Sequence, residues 1–501
     1  MLSFKRNYYN NIVDFITNST KSILLVNGPR KIGKTVMLKQ IEAEFSSKAK
    51  YFDFKKEPNK TADYLLELVR KDADGIYLFD EITYCPAVET VLCEVSELLA
   101  IRGKLKGKFV FTGSQHIAQE KWFHSNFSCK AKILDIPFLQ YDEYLRYIGS
   151  ENNNADTFRD FVLNSWKFND IDSNRDYLES CLIETIQVNE HCRDMILRLC
   201  DYEAYSPVED ALRILSATIF KLHNKENWTR FFNKKETVID MKRKIEILKG
   251  QEDFNSILLD SYFQGTKLDF DSFRNALRFL LNSKLVIMDF NYEREDKSTI
   301  REFYNWLSNG TEIEGVKNTV QFFKRYNLII TNPLFYVNVL GDIIESNNLN
   351  IKVSDVLSND ILGSILECYI KGVNAFKNSR EYNYTWNVSD DKCHEIDLII
   401  PELHQVVEIT VSDKNLKATH FENFDDYEHW NCILLGTRKG IDNYATRIPY
   451  WEYVYTLCET STKPKVDMSI YAMIPEATRH LYGETKEEIV ENYLKGTMKE
   501  E

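Results

Sequence analysis

Ser22-Ile23-Leu24-Leu25-Val26-Asn27-Gly28-Pro29-Arg30-Lys31-Ile32-Gly33-Lys34-Thr35 is the stretch on which the reading of this chain turns. The apolar run Ile23 to Val26 has the profile of a buried strand, and Asn27-Gly28 stops it. Val36 to Phe45 then reads as a helix. Between them Gly28, Gly33, Lys34 and Thr35 fill the pattern G-x-x-x-x-G-K-[ST]. A strand that hands the chain to a glycine-rich turn, and the turn to a helix, makes a phosphate cradle. Backbone N–H groups of the turn point inward and the positive end of the helix faces the same anion. On this reading Gly28, Pro29, Arg30, Lys31, Ile32, Gly33, Lys34, Thr35 and Val36 form the binding loop for ATP. Lys34 reaches the β- and γ-phosphates, and the Thr35 hydroxyl ligates the accompanying Mg²⁺. The competing reading, a chance match in a loop, has no use for the strand before it and the helix after it.

Working outward, Leu2 to Thr20 reads as a short helix with Arg6 near its start. Lys50 to Phe54 reads as a second strand and Thr61 to Arg70 as a helix. Gly75-Ile76-Tyr77-Leu78-Phe79 is a further strand, and it ends in Asp80-Glu81. An acidic pair after a strand is common in ordinary loops. About one βα unit after a phosphate loop it acquires roles: Asp80 would hold the metal ion through a water, and Glu81 would orient and deprotonate the attacking water. Val88 to Ala100 is the next helix. Lys108 to Phe111 is the next strand and runs into Thr112-Gly113-Ser114-Gln115. Thr112 or Ser114 there can hydrogen-bond the γ-phosphate or the water, and can equally cap the following helix. Lys132 to Ile136 supplies a fifth strand. The alternation predicts an α/β fold, a parallel sheet with helices on both faces and its ligand site at the C-terminal strand edge.

Composition bounds the rest. A chain of 501 residues exceeds what one core serves, so several domains are expected. No run of eighteen apolar residues occurs, which predicts no membrane span. The N-terminus lacks the apolar core of a signal peptide. The ten cysteines include no C-x-x-C pair, which argues against zinc and disulfide frameworks and for a cytoplasmic protein. A net charge of −13 argues against a chain coated in nucleic acid. Within residues 221–249, however, nine Lys/Arg face four acids. This stretch is either a solvated helix face or a phosphate-contacting patch for DNA.

Gly28 to Thr35, Asp80-Glu81-Ile82, Thr112-Gly113-Ser114 and Ile136-Pro137-Phe138 with Tyr144-Leu145 together resemble the prokaryotic, archaeal-type AAA ATPases. The resemblance is to the group whose ATPase domain precedes a C-terminal domain of unknown function with a nuclease-like fold. It implies an AAA-type P-loop ATPase domain over 1–150, a helical linker and winged-helix-like domain over 151–345, and a degenerate restriction-endonuclease-like α/β domain over 346–470. An acidic tail follows over 471–501. One departure is visible. Where such ATPases carry a Gly-Arg pair before the fifth strand, this chain reads Ser128-Cys129-Lys130, so no arginine finger acting in trans is seen.

In the middle region, Asp176 to Ile186 resembles the family's linker helix, and Leu212 to Leu222 and Ile239 to Leu248 repeat apolar residues at helical spacing. Phe270 to Leu281 followed by Leu285-Val286-Ile287-Met288 has the profile of a winged helix, a helix leading into a β-hairpin. Arg274, Asn275 and Arg278 are then expected on its outer face. Asp269 and Asp271 weaken a DNA-reading role and favour packing. Arg325 to Leu340 resembles the bridge into the last domain. There Glu367 lies on a helix, and Asp397 and Glu408 lie on two strands joined at Pro401-Glu402. The three resemble the acidic cluster of the restriction-endonuclease-like fold, a set of hard oxygen ligands for Mg²⁺. The expected Glu-x-Lys reads Glu408-Ile409-Thr410, so the usual lysine is missing. Lys414 would lie about 13 Å along a strand. Lys371, one helical turn after Glu367, is the nearer substitute. Two classes of function follow. One is a Mg²⁺-dependent ATPase that couples nucleotide state to its other domains. The alternative is a catalytically weak nucleotide-switched interaction or DNA-associated module, or a Mg²⁺-dependent nuclease. ATP is the expected ligand; DNA and a partner protein are the expected macromolecular partners.

Overall fold

The computed structural model describes residues 4–56, 67, 71–72, 74–82, 107–113, 131–165, 211, 214–215, 218, 270–292, 297–346, 353–357, 359–378, 382–387, 395–413, 424, 430–441 and 445–458. The chain divides into two compact units, Met1–Cys458 and Glu459–Glu501, and the described residues all fall in the first. Among them no helix is long and apolar enough to cross a membrane.

The first half of the architecture follows from local patterning. Helix α1 (Tyr9–Asn18) buries Tyr9, Ile12, Phe15 and Ile16, one stripe at helical spacing. Arg6 lies ahead of it rather than on it. Strand β1 (Ile23–Asn27) is buried at every position, as a central parallel strand covered on both faces must be. Helix α2 (Lys34–Glu44) follows the loop, then β2 (Ala49–Asp53), β3 (Ile76–Asp80), β4 (Lys108–Gly113) and β5 (Ala131–Asp135). The five strands form one all-parallel sheet in the order β2-β3-β4-β1-β5. The expected parallel sheet is therefore present. On one face an aromatic ladder ties three strands: Tyr77 stacks on Phe109 at 5.3 Å, Phe79 on Phe111 at 4.9 Å, and Phe52 on Phe79 at 5.4 Å. The sheet order sets the chemistry, because β4 lies between the loop strand β1 and the acidic strand β3. Thr112, near the end of β4, thus stands beside both.

Helices α3 (Tyr141–Ile148) and α4 (Ala155–Asn164) close this half. The expected helices 61–70 (save Glu67), 88–100, 176–186 and 239–248, nearly all of 212–222, the basic stretch 221–249 and the acidic tail lie outside the described residues. Then come α5 (Phe270–Asn282), β6 (Val286–Asn291), α6 (Lys297–Asn309), α7 (Thr319–Arg325), β7 (Asn327–Ile330), α8 (Pro333–Ser346), α9 (Val353–Val356) and α10 (Asn359–Lys377). Strands β8 (Tyr382–Asn387), β9 (Glu395–Ile400), β10 (Gln405–Glu408), β11 (Asn431–Gly436), β12 (Gly440–Ile441) and β13 (Thr446–Pro449) precede α11 (Tyr450–Cys458).

Strands β6 to β13 make an eight-stranded mixed sheet in the order β12-β13-β11-β10-β9-β8-β6-β7. The helix and strand expected at 270–281 and 285–288 are present, but no tight hairpin follows them. Strand β6 pairs antiparallel with β7, across a connection that holds α6 and α7, and parallel with β8. The reason is burial: Val286 to Phe290 are all buried, which suits an interior strand and not a solvated wing. Arg274, Asn275 and Arg278 are half-buried rather than on an open outer face. Helix α10 packs on β6, β7 and β8. At Gly372 it approaches so closely that a Cβ would stand 2.3 Å from the Thr331 carbonyl oxygen. A continuous set of buried apolar side chains runs from α1 to α11 and includes residues of both sheets.

Candidate nucleotide site

The loop takes the shape its glycines permit. Gly28 sits at φ +153°, and a Cβ there would meet the Ile136 carbonyl oxygen at 2.4 Å. Gly33 adopts φ +90° as the N-cap of α2, a left-handed conformation that a glycine accepts with little strain. The first turn of α2, Lys34 to Val36, therefore opens on the loop with the positive end of the helix. The Lys34 ammonium is buried and donates to the carbonyls of Gly28 and Pro29, each at 2.8 Å. It arches over the loop where phosphates would lie. Lys31, between the two glycines, adopts φ +63°, a strained conformation for a residue with a side chain.

Across the cleft, Asp80 is buried at the end of β3. Its Oδ1 accepts from the Thr112 hydroxyl at 2.6 Å and its Oδ2 from the Tyr51 hydroxyl at 2.7 Å. Burial first, then the charge of Asp80, push the Tyr51 phenol well up from its ordinary value, so it stays a donor. Thr112 Oγ1 also accepts from the Glu81 backbone N–H at 3.0 Å. Glu81 adopts φ +52°, a strained conformation for a residue with a side chain, and its carboxylate lies 3.9 Å from the Arg30 guanidinium. Asp80 and Glu81, with the loop residues Arg30 to Val36, line a cleft of about 380 Å³. Its walls carry Arg30, Lys31, Lys34, Lys39, Lys55 and Lys56 against Asp53, Asp80 and Glu81, a field that suits a polyanion.

Arg6 also lines the cleft and buttresses the loop. Its guanidinium grips the Glu143 carboxylate in a bidentate pair, Nε to Oε1 at 2.9 Å and NH2 to Oε2 at 2.7 Å. It also donates to the carbonyls of Ile32, Pro137 and Phe138. Burial opposes that charge, but Glu143 outweighs it and the guanidinium stays protonated.

Of the sequence-based set, Lys34, Thr35, Asp80 and Glu81 line one cleft and Thr112 is hydrogen-bonded to the last two, while Ser114 lies outside the described residues. Tyr51, Arg6 and Glu143 were not read from the sequence as site residues. Arg6 had drawn notice only by its place near α1; Tyr51 carries no local signal.

In the second sheet the expected metal set is not assembled. The β9–β10 register runs from Gln405 opposite Ile400 to Val407 opposite Leu398, one residue short of Glu408 and Asp397. Asp397 Oδ2 accepts from the Ile409 N–H at 2.6 Å. Glu367 instead meets Lys371 Nζ at 2.5 Å, and the same ammonium meets Asp289 Oδ2 on β6 at 2.7 Å. Lys371 is 1% exposed. Burial alone would lower its pKa; the charges of Asp289, Glu367 and Asp397 outweigh this and push it above the ordinary lysine value. Among the described residues no group of three or more His, Cys, Asp or Glu is placed to hold a metal ion. A lysine ammonium among the carboxylates does the neutralising.

The parallel sheet, the glycine loop at its C-terminal edge and the acidic strand opposite define a P-loop domain. Residues 20–145 match the family model of the AAA domain, so this part of the chain is an AAA-type nucleotide-binding domain. No curated protein matches the chain. Among solved structures, the chain is similar to AMPPCP-bound DnaA from Aquifex aeolicus, with 13% identity over 53% of this chain and 95% of that one and a TM-score of 0.25. It is similar also to the Thermotoga maritima RuvB Holliday junction branch migration motor, with 12% identity over 60% and 95% of the two chains and a TM-score of 0.26.

Proposed function

We propose that this protein is a Mg²⁺-dependent ATPase whose nucleotide state is passed from the domain at 1–150 to the elements that follow it. The observation that carries the reading is the convergence of Lys34, Thr35, Asp80 and Glu81 on one cationic cleft at the C-terminal edge of a parallel sheet, with Thr112 hydrogen-bonded to Asp80 and to the Glu81 N–H. Lys34 neutralises the β- and γ-phosphates once they displace it from the Gly28 and Pro29 carbonyls. The Thr35 hydroxyl and the Asp80 carboxylate are hard oxygen donors on either side of the cleft, the donors that Mg²⁺ accepts beside phosphates and waters. Bound there, the ion would screen the charge of the transferring phosphoryl group. Thr112 holds the Glu81 backbone, and Glu81 orients the attacking water and accepts its proton. The test is ATP binding by calorimetry. Lys34→Ala should abolish it, because a site built for three or four negative charges loses its central cation. Equal affinity in mutant and wild type overturns the assignment. Turnover measured with and without DNA then separates a DNA-stimulated ATPase from one indifferent to DNA.

A further inference from the structure

Arg30 stands at the third position of the loop and is buried to 6% exposure beside a site whose ligand is anionic. Its guanidinium faces Glu81 across the cleft, NH2 to Oε2 at 3.9 Å, with the Glu81 side chain 14% exposed. The backbone at Glu81 is held in a strained conformation at φ +52° with its N–H on Thr112. That arrangement aims the carboxylate at the loop rather than at bulk water. A buried arginine against the residue that must act as base is a poor resting state for hydrolysis. The ion pair lowers the carboxylate's freedom to orient water. Arginine is also the residue whose planar fork matches a phosphoryl group's oxygens.

We propose that Arg30 is a catalytic arginine supplied in cis: without nucleotide it pairs with Glu81, and with a triphosphate in the loop it moves to the γ-phosphate and releases Glu81 to the water. This deepens the ATPase reading and rests on it. The exchange follows from charge. A γ-phosphate carries more negative charge than one carboxylate, and the 3.9 Å approach to Glu81 is not a bidentate pair, so the phosphate outcompetes Glu81 for the guanidinium. In the step itself the water oxygen bonds to Pγ and the bond from Pγ to the β,γ-bridging oxygen breaks. ADP leaves with the electron pair, and the water's proton passes to the Glu81 carboxylate. Arg30 neutralises the equatorial oxygens of Pγ throughout. The arrangement also accounts for Ser128-Cys129-Lys130 at the place where a trans-acting arginine is expected, because a cis arginine needs no neighbouring subunit.

The experiment compares wild type, Arg30→Ala and Arg30→Lys, with far-UV circular dichroism as the check on folding. Three quantities are read: ADP affinity, trapping of ADP with aluminium fluoride, and single-turnover ATP hydrolysis. Arg30→Ala should keep ADP affinity within about threefold, lose aluminium fluoride trapping, and slow hydrolysis by roughly 10²–10³-fold, the usual worth of one transition-state contact. Arg30→Lys should recover only part of the rate, since it restores charge without the fork. A folded Arg30→Ala or Arg30→Lys variant that traps ADP–aluminium fluoride and hydrolyses ATP as wild type does overturns the proposal. So does a faster Arg30→Ala variant, which would make Arg30 a restraint on Glu81 and nothing more. Wild-type protein that binds no ADP or ATP refutes the ATPase reading itself, a result distinct from either.

Discussion

Lys371→Met isolates the energetic role of the buried lysine in the second sheet. The side chain is 1% exposed and its ammonium lies 2.7 Å from Asp289 and 2.5 Å from Glu367. Methionine keeps most of the stem's volume, so the change removes charge and leaves no large cavity. The two carboxylates then fare differently. Glu367 is 26% exposed and rehydrates, whereas Asp289 is 3% exposed and keeps its charge inside the protein. Breaking a buried ion pair by removing one partner costs about 3–5 kcal/mol, a large share of a total stability of about 5–15 kcal/mol. Urea unfolding followed by tryptophan fluorescence reads the loss as a lower midpoint at unchanged slope. Adding Asp289→Asn to Lys371→Met removes the buried carboxylate's charge and should recover at least half of the deficit. The pH dependence has a definite sign. A lysine whose folded pKa is raised contributes in full below its unfolded value of about 10.4 and loses that contribution only above it, as pH climbs through the folded value. The Lys371→Met deficit should therefore be flat from neutral pH to about 10. A loss below about 1 kcal/mol, the range of exposed ion pairs, refutes the buried-charge argument. A double mutant weaker than the single does so as well.

Glu81→Gln should leave ATP affinity unchanged and slow turnover by roughly 10²–10⁴-fold, the worth of a positioned base; a wild type no faster than the mutant would show that the protein is a nucleotide switch. Little or no Mg²⁺-dependent nicking of plasmid DNA is expected, because Lys371 is committed to Asp289 and Glu367 and position 410 is a threonine; nicking that Asp397→Ala abolishes would contradict this. Burial pushes the Cys458 thiol up to about 12 and that of Cys432 to about 11. Peptide-mapped iodoacetamide labelling at pH 8 should thus modify Cys432 before Cys458, and the reverse order would place Cys458 in an open environment. Gly372→Ala should destabilise by about 1–3 kcal/mol through overpacking against the Thr331 carbonyl; a midpoint within error of wild type would mean that α10 shifts freely.

What was legible in the sequence is what local chemistry encodes. The strand before Asn27-Gly28, the loop glycines with their special φ values, and the apolar run ending in Asp80-Glu81 are all read within a window of about ten residues. Glu367 and Lys371 were legible as a pair because i and i+4 share a helix face. Their third partner was not, since Asp289 lies on β6, which enters the second sheet only because β8 pairs with it. For the same reason the strand after α5 read as half of a hairpin: its antiparallel mate β7 arrives two helices later. Tyr51 reaches Asp80 from a neighbouring strand, and Arg6 finds Glu143 across 137 positions of sequence. Such pairings are set by strand order and by the meeting of distant ends, on which a single sequence window is silent.

The buried polar groups also bear on how nucleotide state would leave the first sheet. Asp135, at the end of β5, pairs with Lys284 at 2.7 Å, both nearly inaccessible, and lies 3.5 Å from the Asn27 amide at the root of the loop. Lys284 sits at φ +55° where α5 turns into β6, and its carbonyl accepts from the Thr331 hydroxyl at 2.8 Å. Five residues on, β6 carries Asp289, the partner of Lys371. A second route starts at Arg6, whose guanidinium joins the Ile32 carbonyl of the loop to Glu143 on α3. At the start of α3 the Tyr141 N–H donates to the Tyr369 hydroxyl at 2.8 Å, one helical half-turn before Lys371 on α10. A shift of the loop must either carry these partners along or break a buried ion pair. The second outcome costs about 3–5 kcal/mol per pair, more than most such displacements release. Moving the connected elements together is the lower-energy response, so a displacement of the loop would reach α10 and the second sheet through these contacts.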